Sequence, residues 1–256
     1  MPTGPSRHSC TAVLLSGGLD SAVLLAEEAA RGEVQPIYVG VGLAWESAER
    51  GAADAFLRAL GAAPFGHAIR PLTTLSVDMH DVYPAAHWAM TGRPPGYHTA
   101  DEDVYLPGRN VVLLGKAAVY CAAEGIGRMA LGTLGHNPFP DATGAFRQAM
   151  SEALSLGLGH ALTIDAPYAS LDKLAVIRRG QQLHVPFELT LSCMGPVEPD
   201  PLSTVARHCG TCSKCRERHD AFLDANAVDP TTYADEQYVS RGRSAVEPGD
   251  DHPRRS

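Results

Sequence analysis

The sequence predicts an α/β fold: a doubly wound, parallel five-stranded sheet with helices on both faces and a small cysteine-rich appendage near its C-terminal end. Three observations predict it. A strand-length apolar run, Cys10 to Leu15, passes through Ser16-Gly17-Gly18 into a run of good helix formers, Ala22 to Ala30. Short β-branched stretches then alternate with longer stretches of helical period. Finally, Cys209, Cys212 and Cys215 recur at equal spacing, with Cys193 upstream across a proline-rich loop.

In chain order, Val34 to Val41 (VQPIYVGV) reads as the second strand because it is rich in β-branched residues. Ser47 to Gly61 places Ala52, Ala55, Phe56, Ala59 and Leu60 on one helical face and closes on glycine. Phe65 to Ile69 is the expected third strand. Thr73 to Pro107 shows no sustained period, holds several His, Tyr and Pro residues, and is expected to form an insertion over the active site. Asn110 to Glu124 is an apolar helix, with Cys121 a small core residue. Arg128 to Thr133 is the fourth strand, Thr143 to Ser155 a helix, His160 to Ala166 the fifth strand and Leu171 to Leu183 a helix; Phe187 to Ser192 reads as a short strand leading to the cysteines. This predicts a main domain over 1–186 with the insertion at 73–107, a metal-binding region over 187–228, and a disordered tail over 229–256, where the sequence is polar and aperiodic.

Bulk composition narrows the function classes. The chain has 256 residues, 45% hydrophobic and 20% charged, enough for a sizeable core. A formal net charge of -8 argues against a nucleic-acid backbone as the main ligand, since that needs clustered Lys and Arg. No apolar run reaches membrane-spanning length, so the expected compartment is the cytoplasm, with no membrane partner. Six cysteines in that compartment point to metal before disulfides.

The chemistry-bearing residues follow. A strand-to-helix glycine turn lets backbone approach an anion, and the first N–H groups of the helix have no partners within it. Leu15, Ser16, Gly17, Gly18, Leu19, Asp20 and Ser21 are therefore expected to hold phosphates. A carboxylate there, Asp20, makes sense as a magnesium ligand or a helix cap. Gly132 and Thr133, at the carboxyl end of the fourth strand, are expected to complete the nucleotide site. Lys173 falls in the first turn of a helix, where a cation opposes the dipole, which hints at a phosphate partner. Cys193, Cys209, Cys212 and Cys215 form a closed four-thiolate set suited to one structural zinc. The Cys-x2-Cys-x2-Cys spacing also begins an iron–sulfur pattern, and His208 or His219 could replace a ligand.

The octet Leu14 to Ser21 resembles the SGGxDS pyrophosphate loop of the ATP pyrophosphatases. Leu106-Pro-Gly-Arg-Asn110, Phe139-Pro-Asp141 and Leu189-Thr-Leu-Ser-Cys193, followed by the Cys209 to Cys215 block, narrow the likeness to the 7-cyano-7-deazaguanine (preQ0) synthase family. The resemblance implies a Rossmann-like, adenine nucleotide alpha hydrolase-like fold, with ATP and Mg2+ as cofactors beside the zinc. It also implies a homodimer and an ATP-dependent ligase that converts 7-carboxy-7-deazaguanine and ammonia to the nitrile in queuosine and deazapurine biosynthesis. Asp20, Arg109, Asp141 and Lys173 would carry the reaction. Arg109 suits a carboxylate or phosphate through its planar fork, and Asp141 suits the N–H edge of a guanine-like ring. The chain departs from the family at Gly42 to Glu46, where an Arg-His pair is usual, and at Ala142-Thr143, where Cys-Arg is. Three alternatives remain: a tRNA-thiolating enzyme sharing the phosphate loop, a paralogue that adenylates another heterocyclic acid, or a nucleotide-binding or metal-stabilised regulatory module without turnover.

Overall fold

The computed structural model describes residues 10–135, 137–199 and 205–239. Five parallel strands, β1 (Thr11–Leu14), β2 (Val34–Gly40), β3 (Thr73–Ser76), β4 (Arg128–Ala130) and β5 (Thr163–Asp165), form one sheet in the order β3-β2-β1-β4-β5. The chain leaves β1 to build outward through β2 and β3, then returns to the other side of β1 with β4. The crevice between the carboxyl ends of β1 and β4 is therefore the switch point, where such sheets bind ligands.

Helices cover both faces. On one lie α1 (Leu19–Ala29), α2 (Glu46–Leu60) and α6 (Lys173–Gln182), which bury Leu24, Phe56 and Ile177 against Val13 and Ala130. On the other lie α4 (Arg109–Glu124) and α5 (Gly144–Leu158), where Leu114, Ala118 and Cys121 meet Ala12, Ile37 and Met129. Alternate strand residues thus face opposite layers, and β1 is buried on both. A short helix, α3 (Trp88–Thr91), lies in the 77–107 stretch, and α7 (Ser213–Asp224) follows the last cysteines. A third apolar cluster unites these two regions: Met79, Tyr83 and Leu106 pack with Leu191, Cys212 and Tyr233. No described helix is long and apolar enough to cross a membrane.

Three elements differ from expectation. Phe65 to Ile69 is not a strand: a 3-10 turn occupies Gly66–Ala68, where a Cβ on Gly66 would lie 2.5 Å from the Gly61 carbonyl oxygen. The fold-back onto the end of α2 displaces the third strand to Thr73–Ser76, inside the expected insertion, where alternating burial suits a short edge strand. Phe187–Leu189 is a 3-10 turn after Pro186, and the extended residues behind it leave the sheet to pair with the glycine turn through Leu191 N–H to Gly17 O at 2.8 Å. Residues 229–239, assigned to the tail, are packed: Tyr233 is buried and donates to Asp229 at 2.8 Å, and Ala234 N–H donates to His208 O. The rest of that tail lies outside the described residues.

Candidate active site

A cavity of about 340 Å³ opens at the switch point. Its floor is the glycine turn. Gly17 sits at φ +79°, and a Cβ there would lie 2.6 Å from the Glu49 carbonyl oxygen, so a side chain is excluded by conformation and by space. Gly132 faces the start of α1, and its Cβ would come within 3.0 Å of the Asp20 and Ser21 backbone. Inside the turn, the Ser21 hydroxyl donates to Gly18 O at 3.0 Å and accepts from Ser16 N–H at 3.2 Å, fixing the loop before any ligand arrives. Ser16, Gly18, Leu19, Asp20, Ser21, Gly132 and Thr133 line the cavity. Leu15 and Gly17 do not: Leu15 is buried beneath the turn and Gly17 is turned back against α2.

Asp20 stands at the mouth of α1 with one oxygen bonded to Lys173 Nζ at 2.5 Å and the other, Oδ1, buried without a hydrogen-bond partner. An orphaned carboxylate oxygen beside a turn rich in N–H groups is a fitting cation ligand. Lys173 opens α6, behind the Asp172 cap, and its partners are carboxylates: Asp20 and, at 2.9 Å, Glu217. Burial disfavours the Lys173 ammonium, but the two carboxylates prevail and raise its pKa. Burial likewise opposes ionisation of Glu217, yet Lys173 and Lys214 hold its pKa down at about 2.

The other end of the cavity is aromatic and carries Arg109 and Asp141. Gly108, at φ +78°, starts α4 so that Arg109 and Asn110 face the loop after β4. Asn110 clips that loop: its N–H donates to Asp141 Oδ2 and its side-chain amide to Asp141 O, both at 3.1 Å. Asp141 Oδ1 is buried and unpartnered, and burial raises the carboxyl pKa against the pull of Asn110 and Arg109. Arg109 makes no ion pair among the described residues, and its Nε is buried without an acceptor. Asp101 pairs instead with Arg216, at 3.9 Å. A guanidinium half-buried and unpaired in a cavity suits an external anion. Tyr105 stacks with Phe139 at 5.0 Å, and Trp45 with Trp88 at 5.6 Å, giving flat walls of the kind a heterocycle fills.

Sequence reasoning missed several lining residues. Glu49 looks like a solvated helix residue but is 8% exposed, accepting from Tyr38 O–H at 2.9 Å and Trp45 Nε1–H at 3.0 Å. Burial pushes its pKa up to about 7 despite the opposing field of Arg109. Lys214, Glu217 and Arg218 also line the cavity, and nothing in the sequence singled them out. A larger hollow, about 1000 Å³, lies at the amino ends of the strands around Cys10 and Gly125, and its Arg70–Glu33 pair is internally satisfied at 2.8 Å.

Beside the cavity, Cys193, Cys209, Cys212 and Cys215 bring their sulfurs within 4.8 Å of one another, with nearest pairs at 3.5, 3.8 and 4.0 Å. A disulfide needs about 2.05 Å, whereas a tetrahedron with bonds of about 2.3 Å has edges near 3.8 Å. The set could hold a metal ion. Gly195 and Cys209 donate N–H to the Cys193 sulfur at 3.3 and 3.2 Å, as suits a thiolate. Gly210 must be glycine, since its φ is +81° and a Cβ would lie 1.8 Å from Asp235 O. The histidines are otherwise engaged: His208 Nε2 accepts from Ser192 N–H at 3.1 Å, and His219 faces Asp229 at 3.4 Å.

A 7-cyano-7-deazaguanine synthase of Anaeromyxobacter dehalogenans is 33% identical over 243 residues, 91% of this chain and all of that one. Those of Methanopyrus kandleri and Dechloromonas aromatica are 35% and 33% identical, covering 87% and 86% of this chain and 98% and 96% of theirs. The family described as "Queuosine biosynthesis protein QueC" matches residues 11–226. With the glycine turn, Arg109 and the four-cysteine cluster all inside that span, the chain belongs to this family.

Proposed function

We propose that the chain is the ATP-dependent ligase its relatives are named for, making 7-cyano-7-deazaguanine from 7-carboxy-7-deazaguanine and ammonia. One observation carries the reading: a single cavity joins the glycine turn with Asp20 and Lys173 to a half-buried Arg109 without an ion pair among the described residues, beside Asp141. The turn's N–H groups and Ser16 hold the triphosphate, and Gly132 and Thr133 border the nucleotide. Arg109 holds the acceptor carboxylate in line, and Asp141 accepts from the ring's N–H edge between the aromatic walls. The carboxylate oxygen attacks the α-phosphorus and pyrophosphate leaves. Ammonia then displaces AMP to give the amide and a proton. A second ATP adenylates the amide oxygen, and loss of AMP and a proton leaves the nitrile. Each adenylation builds negative charge on the departing pyrophosphate, where preorganised N–H dipoles and Lys173 are most effective.

Asp20 Oδ1 would hold Mg2+, which supplies charge neutralisation on the phosphates. The four thiolates would hold zinc as a closed structural site, since no corner is left for water or substrate. The pattern of exposed Val111, Val119 and Leu156 on α4 and α5, with no residue of α5 buried, supports a homodimer through that face. Sedimentation equilibrium tests it, and a monomer at micromolar concentration would exclude it.

The test of function is turnover with ATP, Mg2+, ammonium and the 7-carboxy acid. Two AMP and two pyrophosphate per nitrile are expected. Absence of AMP with every acceptor would sink the ligase reading, and sulfur transfer to tRNA would replace it with the thiolating alternative.

A further inference from the structure

Helix α7 serves two sites. Cys212 caps it and Cys215 lies in its first turn, while Lys214 and Glu217, three residues apart and so on one face, line the cavity. Lys214 Nζ lies 2.6 Å from Glu217 Oε2, Glu217 Oε1 lies 2.9 Å from Lys173 Nζ, and Lys173 lies 2.5 Å from Asp20 Oδ2. A row of alternating charge therefore runs from the cysteine cluster to the glycine turn. All four side chains are at most 29% exposed, so these ion pairs are shielded from full solvent screening.

The row is electrically balanced only as it stands. A dication on Asp20 Oδ1 would neutralise the carboxylate that Lys173 holds through Oδ2, leaving two ammonium groups balanced chiefly by one Glu217. The surplus positive charge then lies within the cavity that both lysines line. A lysine already tied to Glu217 on the first turn of its helix has lost much of its rotamer freedom, which lowers the cost of gripping an anion.

We propose that Lys214 is a further triphosphate-binding residue: with Lys173 it grips the departing pyrophosphate half of ATP, and Glu217 holds both ammonium groups in position beforehand. The inference rests on the ATP reading above and adds that the cysteine segment contributes directly to the nucleotide site. Lys214 and Lys173 line the same cavity as the glycine turn, so their grip falls on the pyrophosphate half of ATP and leaves AMP alone.

The experiment is titration calorimetry of the full-length, metal-loaded chain with Mg-ATP, Mg-pyrophosphate and AMP, for the wild type, Lys214→Met and Lys214→Arg. Lys214→Met should weaken ATP and pyrophosphate about tenfold or more, the loss of one charge-assisted contact. AMP affinity should be unchanged, and Lys214→Arg should recover most of the loss. Elemental analysis checks that the variant keeps its metal; if it does not, Lys214→Gln is used in its place. Wild-type pyrophosphate affinity in a metal-loaded neutral variant, or an equal loss for AMP, overturns the proposal. A wild type that binds neither ATP nor pyrophosphate overturns the ATP reading itself, a distinct result.

Discussion

Glu49→Gln isolates the energetic consequence of a carboxylate shut into the cavity wall. The side chain is 8% exposed, accepts from Tyr38 and Trp45, and is faced by two charges, Arg109 favouring its ionised form and Glu46 opposing it. Burial prevails and raises the folded-state pKa from 4.5 to about 7. The folded chain therefore holds this proton more tightly than the unfolded chain. Below pH 4.5 both states are protonated; between 4.5 and 7 the unfolded state ionises while the folded state does not, so this group's share of stability falls as pH rises and is lost once pH passes 7. At about 1.4 kcal/mol for each pH unit, the gap amounts to about 3 kcal/mol. Gln is neutral throughout and resembles the protonated form. Urea unfolding of both proteins from pH 4.5 to 8 should show the variant gaining about 3 kcal/mol on the wild type across that interval. A difference that stays flat, or one in which the wild type gains, refutes the assignment of a high pKa to Glu49.

Three further outcomes are expected. Asp20→Ala should lower AMP release by about 10² or more by removing the cation ligand, with the melting curve retained; turnover near wild type would remove Asp20 from the mechanism. Arg109→Lys should raise KM for the acceptor acid and leave ATP affinity unchanged, because an ammonium cannot reproduce the planar two-point grip; unchanged acceptor KM would move carboxylate recognition elsewhere. Cys212→Ala should lose metal and Tm together, since ligand binding energy at a closed site is folding energy, and a variant that melts like wild type would dissociate the cluster from stability.

What was legible in the sequence was what a short segment specifies by itself. Ser16 to Ser21 needs only its own glycines and the helix behind it to make an anion-ready turn, and Cys209, Cys212 and Cys215 announce a cluster through spacing alone. Glu49 was illegible for the opposite reason. Its position shares the face of Ala52 and Phe56, but its residue type reads as solvated, and it becomes a buried acceptor because Tyr38 from β2 and Trp45 at the head of α2 converge on it. The third strand failed similarly: Phe65 to Ile69 has strand-like residues, but the close approach of Gly66 to Gly61 forces a turn that no local propensity reports. Lys214 shows the deepest limit. It sits inside a motif whose cysteines explain the whole spacing, so nothing is left over to suggest a second duty. Only when α7 folds across the carboxyl end of the sheet does Glu217 meet Lys173, and through it Asp20, nearly two hundred residues earlier in the chain. In this fold, chemistry that depends on one turn can be read before folding, whereas chemistry that depends on two elements meeting must wait for the topology that brings them together.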